Sequence, residues 1–310
     1  GGELPGKWRA VDLFCGIGGS STGLEAHPDI EVLAGADASE QALSQYALNH
    51  DHEALKLDLA DVAATVARLR QLGRIDIISG SPPCQDFSFA GKRVEGDNAS
   101  LTVRFAETVA LLKPKLFFME NVPQVVSSVA WQEASSVLTG AGYALTAVEI
   151  NAAHCGVPQA RKRAIIAGVR LEGFDMSPFA RAADELAKAP EMTLKEAFPE
   201  WEGAFDAIYL HPRGSGRACF STEKPAPTCR TTCGRRPNAH YAAREGDAAP
   251  ISRTKTLSLE DLARIMGFPP QEVGLSRTAM AKGLGNAVCP AVMTWAASAL
   301  LRLVAKVKVA

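Results

Sequence analysis

Four short stretches hold the residue types that chemistry needs. In Val11-Asp12-Leu13-Phe14-Cys15-Gly16-Ile17-Gly18-Gly19, an apolar run enters a glycine turn. Glycine lets the backbone come close to a ligand, and amides at the start of a following helix favour an anionic group. On an α/β sheet this is where a nucleotide-like cofactor sits, and a purely structural turn is the alternative. Asp37, at the end of a second apolar run, is placed to hydrogen-bond ribose hydroxyls, and Asp58 is a further acid of the same kind. The second stretch is Gly80-Ser81-Pro82-Pro83-Cys84-Gln85-Asp86. Two prolines stiffen the chain ahead of a thiol, as a nucleophilic cysteine at a strand end needs; a buried structural thiol is the alternative. Third, Met119-Glu120-Asn121-Val122-Pro123 brings a carboxyl group to the same sheet edge. It can protonate a ring nitrogen while a thiolate attacks, or merely cap a helix start. Fourth, Gln159-Ala160-Arg161-Lys162-Arg163 reads as extended, so Gln159, Arg161 and Arg163 share a face. Two arginines there can hold the glutamate and a base carbonyl, or form a charged strand edge.

The elements that must position these groups follow from apolar periodicity. Strands are expected at residues 9–14, 30–36, 75–79, 116–119, 143–150 and 163–169, and helices at 20–26, from about 40 onward, and at 102–112. Ser39 is a helix cap, with Ala42, Leu43, Tyr46 and Ala47 forming an apolar stripe. Alternating strands and helices predict an α/β fold with a doubly wound, mostly parallel sheet. From Leu171 to about Ser258 the periodicity is poor and Pro, Gly and Arg are frequent, which predicts a small, loop-rich domain. Helical order returns at Ser258. The expected division is therefore 1–170 for a catalytic and cofactor-binding domain, 171–257 for a small domain, and 258–310 for a return that completes the first.

Composition limits the alternatives. The chain has 310 residues and a net charge of −1, so a nucleic-acid partner needs a local basic face. Candidates are Lys92-Arg93, Arg161-Lys162-Arg163 and Arg235-Arg236. No run of about 18 apolar residues is evident, which argues against a membrane span. Seven cysteines at irregular spacing, with no export signal in view, predict free thiols in a reducing cytoplasm. Cys229 and Cys233 with His240 lack a Cys-x-x-Cys knuckle and a fourth ligand, so no metal is expected.

Taken in order, these motifs resemble those of the cytosine-C5 DNA methyltransferases of bacterial restriction-modification systems. The resemblance rests on the glycine turn after Asp12-Leu13-Phe14, Pro83-Cys84-Gln85, Glu120-Asn121-Val122, Gln159-x-Arg161-x-Arg163, Pro225-Ala226-Pro227-Thr228 and Gly285-Asn286-Ala287-Val288, and it covers nearly the whole chain. It implies an S-adenosylmethionine-dependent methyltransferase fold with a small target-recognition domain. The cofactor is S-adenosylmethionine, giving S-adenosylhomocysteine, with no metal. The implied catalytic residues are Cys84 as nucleophile, Glu120 as acid at N3, Arg163 at the base O2, and Arg161 as a positioning group. The implied cofactor contacts are Phe14, Gly16, Ile17, Gly18, Gly19, Asp37, Ala38, Asp58, Leu59, Pro83, Leu101, Asn286 and Val288. Double-stranded DNA is the implied partner of a cytoplasmic monomer, with room for a cognate restriction endonuclease that need not bind. The target base must leave the helix stack. Expected nucleic-acid contacts are Lys92, Arg93, Gln159, Arg213, Arg217, Thr228, Arg230, Arg235 and Arg236. His211 and His240 lie in the same arginine-rich segment.

The chain also departs from the family pattern. Ala38 stands where a large aromatic often follows the ribose acid, and no arginine lies just before Leu101. Two other readings stay open: a transfer-RNA methyltransferase, suggested by Cys219-Phe220-Ser221, and a DNA-binding homologue without catalysis.

Overall fold

The computed structural model describes residues 6–83, 97–305 and 307. Cys84, Lys92 and Arg93 lie outside the described residues.

In chain order, β1 (Trp8–Leu13) leads to α1 (Gly19–Glu25), β2 (Ile30–Asp37), α2 (Glu40–Asn49), β3 (Glu53–Lys56), α3 (Val62–Arg70) and β4 (Ile77–Gly80). There follow α4 (Asp97–Leu112), β5 (Leu116–Asn121), α5 (Val129–Gly140), β6 (Ala144–Asn151), β7 (Gln159–Ala160) and β8 (Lys162–Val169). Seven strands form one sheet in the order β3-β2-β1-β4-β5-β8-β6. The pairs from β3 to β5 are parallel, and β8 runs antiparallel to both of its neighbours. Residue alternation sends Ala10, Ile77, Leu116 and Phe118 to one face, and Val11, Ile78, Phe117 and Met119 to the other. Both faces are buried, as helices on both sides of a parallel sheet require.

The segment expected to be a separate small domain opens differently. Its first element, α6 (Ser177–Leu186), carries Phe179 onto Trp295 with ring centroids 5.4 Å apart, and so belongs to the core of the large sheet. The irregular remainder holds α7 (Leu194–Ala197) and a three-stranded sheet of β9 (Ala207–Tyr209), β10 (Cys219–Ser221) and β12 (Thr254–Lys255). Between them β11 (Ala226–Pro227) pairs with β7, which ties this region back to the large sheet. The chain returns through α8 (Leu259–Ile265), α9 (Arg277–Asn286) and α10 (Pro290–Val304). Ser258 caps α8 in a reciprocal box with Asp261.

Arg277–Val304 is, among the described residues, one stretch long and apolar enough to cross a membrane, where the sequence suggested none. Of its most apolar window, 67% is buried inside the fold, and the stretch is two helices broken at Ala287–Cys289. It is a core element.

Candidate active site

β1 ends in a tight turn, and its geometry separates the roles of the glycines. Phe14 has φ 56° and Gly16 φ 53°, both left-handed; for a bulky residue such as Phe14 this is a strained backbone. A Cβ on Gly16 would meet nothing within 4 Å, so this position opens onto the cavity. Gly18 and Gly19 answer to packing instead. A Cβ on Gly18 would lie 2.2 Å from His50 Nε2, and one on Gly19 2.0 Å from the Val288 carbonyl oxygen. These two glycines do not line the cavity, which corrects the expectation that both are cofactor contacts. They allow α1 to approach the C-terminal return.

A cavity of about 440 Å³ opens at the carboxyl ends of β1, β2 and β4. It is lined by Phe14, Gly16, Ile17, Asp37, Ala38, Asp58, Leu59, Pro83, Leu101, Asn286 and Val288, together with Glu120, Arg161 and Arg163. Asp37 accepts the Gly16 amide at 2.9 Å and the Ser39 amide at 2.8 Å, one on each oxygen, so the carboxylate is fixed while lone pairs remain for a ligand. Ala38 brings no ring; the apolar lining includes Leu275 and Ala279 of the C-terminal return, which sequence reasoning missed. Lys282 and Gln41 were missed as well, since neither stands in a recognisable motif.

The strand end before Cys84 is held from two sides. The Ser81 amide donates to Leu13 O at 3.2 Å and its hydroxyl to Phe14 O at 3.1 Å. Asn121 Nδ2 donates to Pro82 O at 3.3 Å, while Asn121 Oδ1 accepts the Val122 amide. Asn121 thus links the Glu120 strand to the proline pair, a role that its place beside Glu120 could have suggested.

Glu120 is 7% exposed and faces Arg163, with Nε 3.1 Å from Oε1. Burial pushes its carboxyl above the usual range, and the charges of Arg163 and Arg161 only partly offset this. Arg161 is also buried, and its guanidinium donates to the carbonyls of Cys229 (2.9 Å), Gly285 (3.0 Å) and Ala287 (3.1 Å). It joins the small region to the C-terminal return.

A second, larger cavity of about 870 Å³ lies between this edge and the small region. Lys162, Arg163, Arg213, Arg217 and Arg230 line it against a single acid, Glu149. Val122 and Arg163 line both cavities, so the two meet at the Glu120–Arg163 pair.

Residues 8–204 match the family described as C-5 cytosine-specific DNA methylase. The chain belongs to that family. Type II methyltransferase M.HgiDI of Herpetosiphon aurantiacus is 36% identical over 264 residues, covering 84% of this chain and 83% of the relative. Type II methyltransferase M.HindV of Haemophilus influenzae is 32% identical over 298 residues, covering 94% and 96%. Among solved structures, Entamoeba histolytica methyltransferase EhMeth superposes with a TM-score of 0.70 at 16% identity over 96% of this chain and 98% of that one. S. pombe Dnmt2 methyltransferase gives 0.68 at 17% identity, over 96% and 99%. At such identities the structural likeness is one of fold.

The family membership identifies the methyltransferase class, and the structure sorts the surface residues expected to touch nucleic acid. Arg213, Arg217, Thr228 and Arg230 line the larger cavity, while Arg235 and Arg236 are exposed outside its lining. Gln159 is a correction. It is fully buried, donates to Ile265 O at 3.1 Å and accepts the Cys229 amide at 2.8 Å, so its amide group is spent inside the fold. Arg244 was missed: it donates to Gly214 O and Gly216 O and so pins the loop that carries Arg213 and Arg217. Cys219-Phe220-Ser221 forms β10, with Cys219 fully buried and Phe220 in the lining of the larger cavity.

Proposed function

We propose that this chain transfers a methyl group from S-adenosylmethionine to C5 of a cytosine flipped out of double-stranded DNA, through a covalent bond between Cys84 and C6. The supporting observation is the Glu120–Arg163 pair, with Glu120 lining the smaller cavity and Arg163 lining both. The smaller cavity suits a nucleoside-sized ligand, with an acid at the end of β2 and strand-end backbone around it. In this reading Phe14 packs on the adenine, Asp37 takes the ribose, Asp58 and Leu59 the adenine edge, and Asn286 and Val288 close the pocket. S-adenosylmethionine, when bound, supplies an electrophilic methyl group.

The chain's own residues do the rest. The Cys84 thiolate adds to C6, and the electron pair displaced from the C5–C6 bond is accommodated as N3 takes the Glu120 proton. Burial favours the protonated form of Glu120, the form that gives this proton. Arg163 holds the base O2 and balances the charge left on Glu120. C5 would then take that methyl group as its bond to the sulfonium sulfur breaks, leaving S-adenosylhomocysteine. Loss of the C5 proton to water restores the double bond, expels the Cys84 sulfur and returns the N3 proton to Glu120. Among the described thiols, burial pushes those of Cys15, Cys155, Cys219 and Cys289 upward, which leaves them protonated and poor nucleophiles.

Residues 171–257, apart from α6, serve as the target-recognition region, and 1–170 with 258–310 carry the chemistry. The type II naming of the relatives brings a cognate restriction endonuclease into the picture as a cellular counterpart, and we place the enzyme in the bacterial cytoplasm, acting as a monomer. The test starts by bisulfite sequencing of DNA from expressing cells, which gives the target site. An oligonucleotide carrying 5-fluorocytosine at that site should then form a stable adduct on Cys84, because fluorine cannot leave as a cation. No adduct on a site methylated in the parent oligonucleotide, or an adduct mapped to another residue, overturns the mechanism.

A further inference from the structure

Glu25, His50 and His52 converge behind the glycine turn, on the side away from the cofactor cavity. The three come from the end of α1, the residue after α2 and the residue before β3. Their ligand atoms all lie within 4.8 Å of one another. His50 Nδ1 is 3.1 Å from one Glu25 oxygen, and His52 Nε2 is 2.5 Å from the other. Both imidazoles are nearly buried, with side chains 3% and 10% exposed, while Glu25 is 38% exposed and leaves a way in from solvent.

Hydrogen-bond counting fixes what His52 can do. The Ser21 hydroxyl donates to Asp12 Oδ2 at 2.8 Å, so its one proton is spent. The Tyr46 hydroxyl, 2.7 Å from Ser21 Oγ, must therefore donate to it. Tyr46 has no second proton, so at 3.0 Å it must accept from His52 Nδ1. A neutral His52 then presents the Nε2 lone pair toward the Glu25 carboxylate. Two lone pairs 2.5 Å apart need a cation between them. A proton on Nε2 supplies that cation in a charged His52, and a metal ion supplies it with His50 Nδ1 converging on the same carboxylate.

We infer that Glu25, His50 and His52 bind a divalent transition-metal ion such as zinc, through Glu25 carboxylate oxygen, His50 Nδ1 and His52 Nε2. Two imidazoles and one carboxylate are a set that zinc accepts, with water as the fourth ligand on the exposed Glu25 side. Bonds of about 2.0–2.1 Å place tetrahedral ligand atoms roughly 3.4 Å apart, which a small rotation of the carboxylate satisfies. The Tyr46 hydroxyl is the outer partner that fixes the His52 tautomer, as metal-bound histidines usually have. The ion ties the ends of α1 and α2 to the start of β3, and its stabilising effect reaches the glycine turn because Gly18 packs on His50.

The test uses the whole chain, stripped with chelator and titrated with zinc and with cobalt. One zinc per chain is expected to survive competition with a chromophoric chelator. The melting temperature should rise by about 4 °C when free zinc is 100-fold above Kd. The cobalt complex should show the d–d bands of a nitrogen–oxygen site without a thiolate charge-transfer band, which separates this site from the cysteines. His52→Gln and Glu25→Gln should melt like the stripped parent without zinc and lose the zinc-dependent rise. Failure of the parent to retain zinc, equal retention by His52→Gln, or a thiolate band overturns the inference.

Discussion

The two cavities that meet at Glu120 and Arg163 are built from different materials. The smaller is walled largely by backbone and short side chains at strand ends: the Phe14–Ile17 turn, the Asp37 carboxylate fixed by two amides, and the proline pair. The larger is walled by long side chains on loops, and those loops are held by arginine-to-carbonyl bonds such as Arg244 to Gly214 and Gly216. A backbone-built pocket suits a ligand that never changes. A loop-built cleft can be re-lettered by changing one side chain without disturbing the sheet. In the proposed function the reaction and the recognition are thus separable, and each side can be struck on its own.

Cys84→Ala strikes the chemistry hardest. Methyl transfer to DNA should fall below detection, while equilibrium binding of the cofactor product and of target DNA persists. The assay is methyl incorporation from labelled cofactor, with calorimetry for binding. Residual turnover would place the nucleophile elsewhere.

Arg161→Ala strikes the seam. Three carbonyls from two regions lose a buried, charged donor, and each such bond is worth roughly 1.5–3 kcal/mol. A loss of about 4 kcal/mol or more in unfolding free energy is expected, read from urea denaturation. Arg161→Lys should recover only part of it, since an ammonium cannot span Cys229, Gly285 and Ala287 in the plane of a guanidinium. Equal stability of the parent and the alanine variant would mean that the two regions are not joined here.

The sheet and the cavity at its strand ends were largely legible because period-2 apolar runs and glycine turns are local signals. The strands at 30–37, 77–80 and 162–169 differ from expectation by a residue or two, because fraying of the ends is not written in periodicity. Five helices were not anticipated: α3, α5, α6, α7 and α9. In α3 and α5 the stripes are rich in Ala, Ser and Thr and weakly apolar; in α9 Gly283 and Gly285 break the pattern. Their helicity comes from tertiary packing, with Trp131 and Leu138 buried on one side of α5. The placement of Gln159 was not legible for the opposite reason. Alternation correctly put it on the same side as Arg161, but only the fold reveals that this side turns inward, toward Ile265 and Cys229.

Asp12 allows the rigid half to be probed by pH. It is fully buried, and burial raises its carboxyl from 3.8 to about 7 although Ser21 donates to it twice. A folded-state pKa above the unfolded one means that stability is complete below about pH 4 and is lost as pH rises toward 7. The unfolded chain ionises in that window and the folded one does not. Asp12→Asn removes the ionisation while its amide oxygen still accepts from Ser21. The variant should gain on the parent by on the order of 2–4 kcal/mol between pH 4 and pH 8, measured by denaturant titration at each pH. A constant difference across that range would mean that Asp12 ionises in the folded state as it does in the unfolded chain.

The smallest effect, and the most informative about recognition, belongs to the loop of Arg213 and Arg217. Gly214 has φ 54°, the Gly216 amide closes the loop by donating to Arg213 O at 3.0 Å, and Arg244 holds it from outside. Arg217 lies over the Phe220 ring, 4.9 Å from its centroid, which presets its direction, whereas Arg213 is exposed along the cleft. A stacked arginine loses less freedom on binding, so Arg217 suits bidentate contact with a guanine edge and Arg213 suits a phosphate. Arg217→Ala should cost roughly 1–3 kcal/mol on the target duplex and relax one base position, with little change on a scrambled duplex. Arg213→Ala should weaken both duplexes alike and lower the slope of log affinity against log salt by about one. Arg244→Ala sharpens the contrast, because it frees the loop without removing either contact, and its cost should fall on target discrimination alone. Fluorescence anisotropy on target and scrambled duplexes at three salt concentrations reads all of these. If Arg217→Ala leaves the ratio of the two affinities unchanged, this loop positions the DNA and the base reader lies elsewhere in the cleft.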